Sequence, residues 1–109
     1  MQTSNSSSGY RNAFRLVRDS TAIGGGTVSG SRQSAFGQID MRGNGNGQHA
    51  SGFNYLDSPS TTSSTTYKVQ MISEISETGY INRSALDIDT NQAYGVRTAS
   101  TITVMEIKG

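Results

Sequence analysis

The sequence predicts an all-β domain, a compact antiparallel β-sandwich or jelly roll without substantial helix. Three observations predict it: short runs alternate apolar and polar residues, loops rich in Gly, Asn and Ser separate them, and no stretch keeps a convincing helical period. A chain of 109 residues is long enough for one domain. We therefore expect one sandwich over residues 10–109, preceded by an arm.

The expected arm comprises residues 1–9. It is polar and rich in Ser, so it has little apolar area to bury. We expect it to be flexible or packed along a neighbouring copy, with order beginning near Tyr10. The first residues also lack the charged and apolar regions of a signal peptide, so we expect no export signal and a soluble protein.

The first half of the domain contains three expected strands. They cover residues 13–18, residues 35–41 and a short segment with Phe53 and Tyr55. In the first strand, Phe14 and Leu16 face one side of the sheet. The three adjacent glycines within residues 24–30 disfavour regular structure, which predicts a loop. The Gly and Asn residues of 43–47 tolerate positive φ, which predicts a second loop.

The second half contains three further expected strands. Residues 67–71 alternate most cleanly, with Tyr67, Val69 and Met71 directed inward. The turn residues 77–79 precede a strand over residues 80–84, so we expect these two strands to pair as an antiparallel hairpin. Residues 100–107 are rich in β-branched side chains, which predicts a final strand.

The final strand is apolar on both faces. Ile102 and Val104 share one face with Glu106, whereas Met105 and Ile107 lie on the opposite face. A strand of this kind is either central in a sandwich or packed against another subunit.

The core is expected to be thin. Leu, Ile, Val and Phe account for only 19 of the 109 residues, and there is no Cys for a disulfide. We therefore expect stabilisation by oligomerisation. The expected contacts between copies are Ile102, Val104, Met105 and Ile107.

Composition and charge exclude several classes of protein. The net charge is +1 and basic residues never reach three in a row, which argues against a nucleic-acid partner. No apolar run approaches the 18 residues of a membrane span. One His and no Cys argue against a zinc site, and residues 24–30 lack the Lys of a phosphate-binding loop.

The chemistry-bearing residues form no recognised catalytic group. His49 is the only candidate base of its kind, but no adjacent motif supplies a nucleophile, so we expect a solvated loop histidine. The scattered carboxylates permit a glycosidase pair without indicating one. Residues 87–91 carry the first three alternating ligands of a calcium loop, but Gln92 replaces its glycine and Thr98 its glutamate. We assign no catalytic residue, cofactor or metal.

Five segments carry a resemblance to a known family. They are Phe14-Arg-Leu-Val-Arg-Asp-Ser-Thr21, Leu56-Asp-Ser-Pro59, Tyr67-Lys-Val-Gln70, Tyr80-Ile-Asn-Arg83 and Thr101-Ile-Thr-Val-Met-Glu-Ile107. With these segments the chain resembles the C-terminal β domain of virion fibre and surface proteins from marine tailed bacteriophages and some large algal viruses. Those domains are similar to the trimeric jelly rolls of the complement and tumour-necrosis-factor kind. The resemblance covers nearly all residues after Tyr10.

The resemblance implies a non-enzymatic structural protein of a phage virion. The expected form is a homotrimeric fibre, spike or capsid-decorating module whose partners are its own copies and other virion proteins. The alternative is a host-surface carbohydrate-binding tip that uses residues 24–30, 43–52 and 87–95, since loops on a rigid sandwich often carry binding. Its candidate recognition residues are Asn44, Asn46, His49 and Tyr94. A third hypothesis is that the chain is a small polysaccharide-degrading enzyme.

Overall fold

The computed structural model describes residues 1–5, 11–40, 45–74 and 76–108. The strands are β1 (Gln2–Asn5), β2 (Arg11–Arg18), β3 (Thr21–Ile23), β4 (Gly37–Asp40), β5 (His49–Ala50), β6 (Tyr67–Ser73) and β7 (Gly79–Ile81). One 3-10 turn covers Ala93–Gly95, and the described residues contain no α-helix. None of their helical segments has the length and apolar character needed to cross a membrane. The all-β prediction is thus confirmed for this part of the chain.

The strands form two antiparallel sheets, an arrangement consistent with a β-sandwich. In the smaller sheet, β1 lies between β5 and β7. In the larger sheet, β2 pairs with β6 along residues 12–18. The short strands β3 and β4 pair with the two halves of β2 and so share its other edge.

The apolar core is small, as the composition predicts. Among the residues that the structure describes, the buried hydrophobic ones are Phe14 and Val17, at 1% and 3% exposure. Around Phe14 lies an aromatic cluster made of Phe14, Phe36, Phe53 and Tyr55. The rings of Phe36 and Phe53 meet edge to face with centroids 5.1 Å apart, a favoured geometry for aromatic pairs.

A buried amide joins the two sheets. Asn12 of β2 is fully buried, and its Nδ2 donates to the backbone oxygen of Ser4 in β1 at 3.0 Å. Its Oδ1 accepts a hydrogen bond from Oγ of Ser73 in β6 at 2.8 Å. Thr3 and Ser4 are buried as well. Polar side chains with hydrogen-bond partners therefore occupy part of the space between the sheets.

Two of the expected strands are confirmed directly. The segments 13–18 and 67–71 lie within β2 and β6, and β6 alternates half-buried and exposed residues as expected. The segment 35–41 is confirmed in part by β4, because Met41 lies outside the described residues. Residues 24–30 are not in a strand, as predicted.

The strand expected at Phe53 and Tyr55 is wrong. Residues 51–61 form no strand. The rings of both residues pack instead in the aromatic cluster, where Tyr55 lies edge-on to Phe36 at 6.0 Å. Their alternation therefore reflects aromatic packing rather than a β ladder.

The expected hairpin between residues 67–71 and 80–84 is also wrong in its pairing. A turn does follow β6, because the amide of Glu77 donates to the oxygen of Glu74 at 3.0 Å. The chain then crosses to the other sheet, where β7 pairs with β1. A Cβ added to Gly79 would meet the side chains of Ser73, Met71 and Asn12, so a larger residue at this crossing would require these side chains to shift.

The N-terminal segment is part of the fold rather than an arm, at least over residues 2–5. There β1 is paired on both sides, which polar side chains permit because the backbone supplies the ladder. Tyr10 and the expected boundary at residues 9 and 10 lie outside the described residues. This strand was not predicted from the sequence, because its residues are polar and show no alternation of apolar and polar side chains.

The final strand expected over residues 100–107 is wrong for the single chain. Residues 96–108 contain no strand. A high β propensity expresses fit to a neighbouring strand rather than a backbone preference. Within the described chain this segment has no neighbouring strand to pair with.

Candidate functional site

Two of the three expected recognition loops lie together. The amide of Leu86 donates to the oxygen of Gly45 at 3.2 Å. The side chain of Gln48 donates to the oxygen of Val96 at 3.0 Å and accepts from Oγ1 of Thr98 at 2.8 Å. Residues 45–48 and 86–98 therefore form one surface, which we call the joined loops.

The candidate recognition residues occupy different positions around the joined loops. Asn46 is half-buried within them. His49 is half-buried in β5, opposite Thr3, rather than in a solvated loop as expected, because β5 extends the smaller sheet. Tyr94 is 44% exposed on the 3-10 turn. Asn44 lies outside the described residues.

The third expected recognition loop, residues 24–30, packs elsewhere. The amide of Gly26 donates to the oxygen of Ala35 at 3.3 Å, and Oγ of Ser34 donates to the oxygen of Gly26 at 2.8 Å. Gly24 adopts a φ of +67° against the ring of Phe36. This loop therefore belongs to the larger sheet and its aromatic cluster.

The possible calcium loop is engaged in ion pairs. Oδ2 of Asp87 lies 2.6 Å from the guanidinium of Arg97 and 3.3 Å from that of Arg83. The guanidinium of Arg83 also lies 4.0 Å from the ring centroid of Tyr80. Asp87 thus links the two ends of residues 87–97, within one of the joined loops. In the described part of the chain, no group of three His, Cys, Asp or Glu side chains is arranged to hold a metal ion.

The C-terminal segment, residues 101–108, extends from a firm anchor. The amide of Thr98 donates to the oxygen of Asn82 at 3.0 Å. Oγ of Ser100 donates to Oδ1 of Asn82 at 2.6 Å and accepts from the amide of Gln2 at 3.2 Å. The chain is therefore tied to the smaller sheet up to Ser100.

Beyond this anchor, the C-terminal segment is exposed throughout. The four expected contact residues are among the most exposed apolar side chains of the molecule. Their exposures are 55% for Ile102, 64% for Val104, 80% for Met105 and 75% for Ile107. Adjacent exposed side chains of this kind are typical of an interaction site.

A charged cluster at one end of the larger sheet was not predicted from the sequence. The guanidinium of Arg18 in β2 donates to both carboxylate oxygens of Asp57 at 2.7 Å. The hydroxyl of Tyr67 in β6 donates to Oδ2 of Asp57 at 2.7 Å. Arg18 and Tyr67 are opposite each other in the ladder, which explains why both reach the same carboxylate.

The electrostatics of this cluster follow from its contacts. The Tyr67 hydrogen bond, and then those of Arg18, hold the pKa of Asp57 below its ordinary value, although burial acts against them. The same hydrogen bond raises the pKa of Tyr67, because ionisation of the phenol would remove the donor and place a charge beside the carboxylate. No sequence spacing connects these residues, since Asp57 lies on a segment without regular structure.

The cluster also closes the Ser- and Thr-rich loop between Asp57 and Tyr67. Asp19 reinforces this closure, because its amide donates to the oxygen of Thr66 at 2.7 Å and its Oδ1 accepts from the amide of Thr66 at 2.8 Å. We call Arg18, Asp57 and Tyr67 the clamp, because their contacts hold the two ends of this loop together.

Comparisons with protein-family models, curated proteins and solved structures found no match to this chain. The fold class is therefore defined by the strands and their pairing alone: the chain is an all-β protein of two antiparallel sheets with an exposed, apolar C-terminal segment.

Proposed function

We propose that this chain is a non-enzymatic structural module of a phage virion, a homotrimeric fibre, spike or capsid-decorating domain. The observation that carries the proposal is the C-terminal segment, which is anchored at Ser100 and then exposes Ile102, Val104, Met105 and Ile107. Small β domains gain buried apolar area when copies associate.

The thin core supports the same proposal. In the described part of the chain, the buried apolar side chains are Phe14 and Val17, whereas Thr3, Ser4, Asn12 and Ser84 are buried polar residues. A domain with so little buried apolar area is stabilised further when neighbouring copies bury more of its apolar surface. The burial of the C-terminal segment between copies supplies the missing apolar contact.

The virion assignment is supported by the resemblance of the five quoted segments to phage and algal-virus surface domains. The segment 67–70 lies within β6, and residues 14–18 of the first segment lie in its partner strand β2. We propose that the two sheets belong to a trimeric jelly roll of the complement and tumour-necrosis-factor kind. Its partners are its own copies and other virion proteins.

An electron-microscopy map of purified phage particles that carry this coding sequence tests the proposal. We expect density for groups of three copies on the capsid or on a fibre, with the C-terminal segments between them. Peptide mass spectrometry of the same particles provides the control for presence. Absence of the chain from purified particles would overturn the virion role.

A second candidate function is recognition of a host-surface carbohydrate by the joined loops. The observation that favours it is the exposed ring of Tyr94 on loops that Gln48 joins by hydrogen bonds to Val96 and Thr98. Aromatic side chains with an exposed face suit stacking on sugar rings. Rigid loops reduce the ordering cost of binding.

A glycan array tests this second function. We expect a bound glycan whose signal falls at least tenfold in Tyr94→Ala and is unchanged in Leu56→Ala, an exposed residue outside the joined loops. Absence of any bound glycan for the wild-type oligomer, or equal loss in both variants, would reject it.

A further inference from the structure

The larger sheet has a strand with one unpaired edge. All seven residues of β6 pair with β2. On the opposite edge of β6, the described chain supplies no strand. Such an edge presents alternate amide and carbonyl groups and readily accepts a further strand.

Seven residues of the C-terminal segment match this edge in length. Residues 101–107 also number seven, are rich in β-branched residues and are exposed without a ladder of their own. One chain thus contains an unpaired β-forming segment and an unpaired strand edge of equal length. The segment is anchored at Ser100 on the smaller sheet, next to Gln2 and Asn82.

One antiparallel register satisfies both charge and burial. Opposite charges face each other when Glu106 lies beside Lys68, and Ile102 then lies beside Ile72. On the other face, Met105 lies beside Val69, which is half-buried on the side of β6 that carries the inward residues. The further pairs are Thr101 with Ser73, Thr103 with Met71, Val104 with Gln70 and Ile107 with Tyr67.

A parallel alignment over the same seven residues is less favourable. It places Ile102 beside Lys68 and Glu106 beside Ile72, so each charge lies against an apolar side chain. Cross-strand pairs of opposite charge stabilise a sheet, and so do pairs of apolar residues. A pair of one charged and one apolar residue provides neither kind of stabilisation. Charge and alternation together therefore select the antiparallel register.

We propose that residues 101–107 of one copy add as an antiparallel strand to the free edge of β6 in a second copy. The inference rests on the proposed homo-oligomer and names the surface through which its copies join. Each copy donates one segment and accepts one, and in the proposed homotrimer this contact passes head to tail from copy to copy and closes as a ring. Three copies complete the proposed trimer.

Engineered disulfides test the strand addition. The chain contains no Cys, so only introduced thiols can pair. Gln70→Cys with Val104→Cys places two exposed positions opposite each other in the proposed register, within the Cα separation that a disulfide accepts. The matched control is Gln38→Cys with Val104→Cys, because Gln38 is also exposed and lies on β4, at the other edge of β2.

We expect a non-reducing gel of the first variant to show a ladder of linked dimers and trimers, and the control to show none. A linked monomer would place the segment on its own β6 and overturn the inference. Equal linkage in both variants would also overturn it. Light scattering of the reduced protein separates the two proposals. If the reduced protein is a trimer but the gel shows no disulfide-linked species, only strand addition is overturned. If the reduced protein is a monomer, both proposals are overturned.

A charge exchange provides a second test of the register. Lys68→Glu and Glu106→Lys should each raise the dissociation constant of the oligomer about two- to fivefold, the range of an exposed ion pair. The double variant should restore the wild-type value. Additive losses in the double variant would contradict the pairing of these two residues.

Discussion

The side-chain amide of Asn12 donates a hydrogen bond to the backbone oxygen of Ser4 and thereby links the central strands of the two sheets. The same side chain accepts from Ser73, so three strands meet at one buried residue. Polar contacts of this kind are directional and fix the relative position of the sheets. They also explain why a chain with few apolar residues has a defined interior.

Replacement of this amide tests its structural role. Asn12→Ala leaves the oxygen of Ser4 and the hydroxyl of Ser73 without their buried partner, so we expect a loss of about 2–3 kcal/mol in the free energy of unfolding. Urea denaturation followed by circular dichroism measures it. The control is Asn54→Ala, at an exposed position outside the sheets, with an expected change within about 0.5 kcal/mol. Equal losses would contradict the assigned role.

A pair of glycines in one loop tests the backbone of residues 24–30. A Cβ added to Gly24 would lie 2.6 Å from Cε2 of Phe36, and its φ of +67° disfavours side chains. We expect Gly24→Ala to lower the melting temperature and cost about 2 kcal/mol. Nothing lies near a Cβ at Gly26, so Gly26→Ala should change stability by less than about 1 kcal/mol and in the favourable direction. A reversed order would refute the loop geometry.

Protonation of Asp57 gives the clamp a pH dependence. Because its pKa is lower in the folded than in the unfolded chain, the clamp stabilises the protein above the ordinary carboxyl pKa of 3.8. This stabilisation is lost as the pH falls through the folded value. Tyr67→Phe removes the main cause of the shift, so the folded pKa of Asp57 should rise toward 3.8.

Two measurements check this dependence. Carboxyl NMR titration follows the pKa of Asp57 in the wild type and in Tyr67→Phe. Unfolding free energies should differ most between wild type and Asp57→Asn near neutral pH and converge in acid. Asp89→Asn, in an exposed loop, serves as the control. A difference for Asp57→Asn that stays constant down to the acid range would show that the clamp does not stabilise the fold through its charge.

The exposed apolar residues are expected to act in assembly rather than in folding of one chain. Met105→Asp and Ile107→Asp alter side chains that are 80% and 75% exposed, so unfolding of the isolated chain should change by less than about 0.5 kcal/mol. Sedimentation should show at least tenfold weaker association, because a buried charge would replace an apolar contact. Val28→Asp, an exposed residue of another loop, should leave association unchanged.

Local alternation was enough to predict the strands around Phe14, Ile39 and Tyr67. At these positions apolar side chains occupy every second residue, so the period of two is visible without knowledge of the partners. The same signal was misleading at Phe53, where aromatic packing produced the alternation. It was absent at Thr3 and Ser4, which are buried but polar.

Pairing and the charged cluster could not be predicted because they depend on tertiary geometry. Nothing in the turn after β6 indicates that Gly79 crosses to the other sheet. Likewise, Asp57 meets Arg18 and Tyr67 at once because the ladder between β2 and β6 brings these two residues side by side. For the candidate recognition loops, the turn residues predicted 43–52 and 87–95 as separate loops, but not the hydrogen bonds through Gln48 that join them.

The molar mass of the purified chain in solution tests the central claim most directly. Size-exclusion chromatography with light scattering should give three times the 11.6 kDa of one chain. The same chain ended after Ser100, which keeps the anchor to Asn82, should give the monomer mass while remaining folded by circular dichroism. A stable folded monomer of the full chain, or a trimer that persists after removal of residues 101–109, would contradict the account.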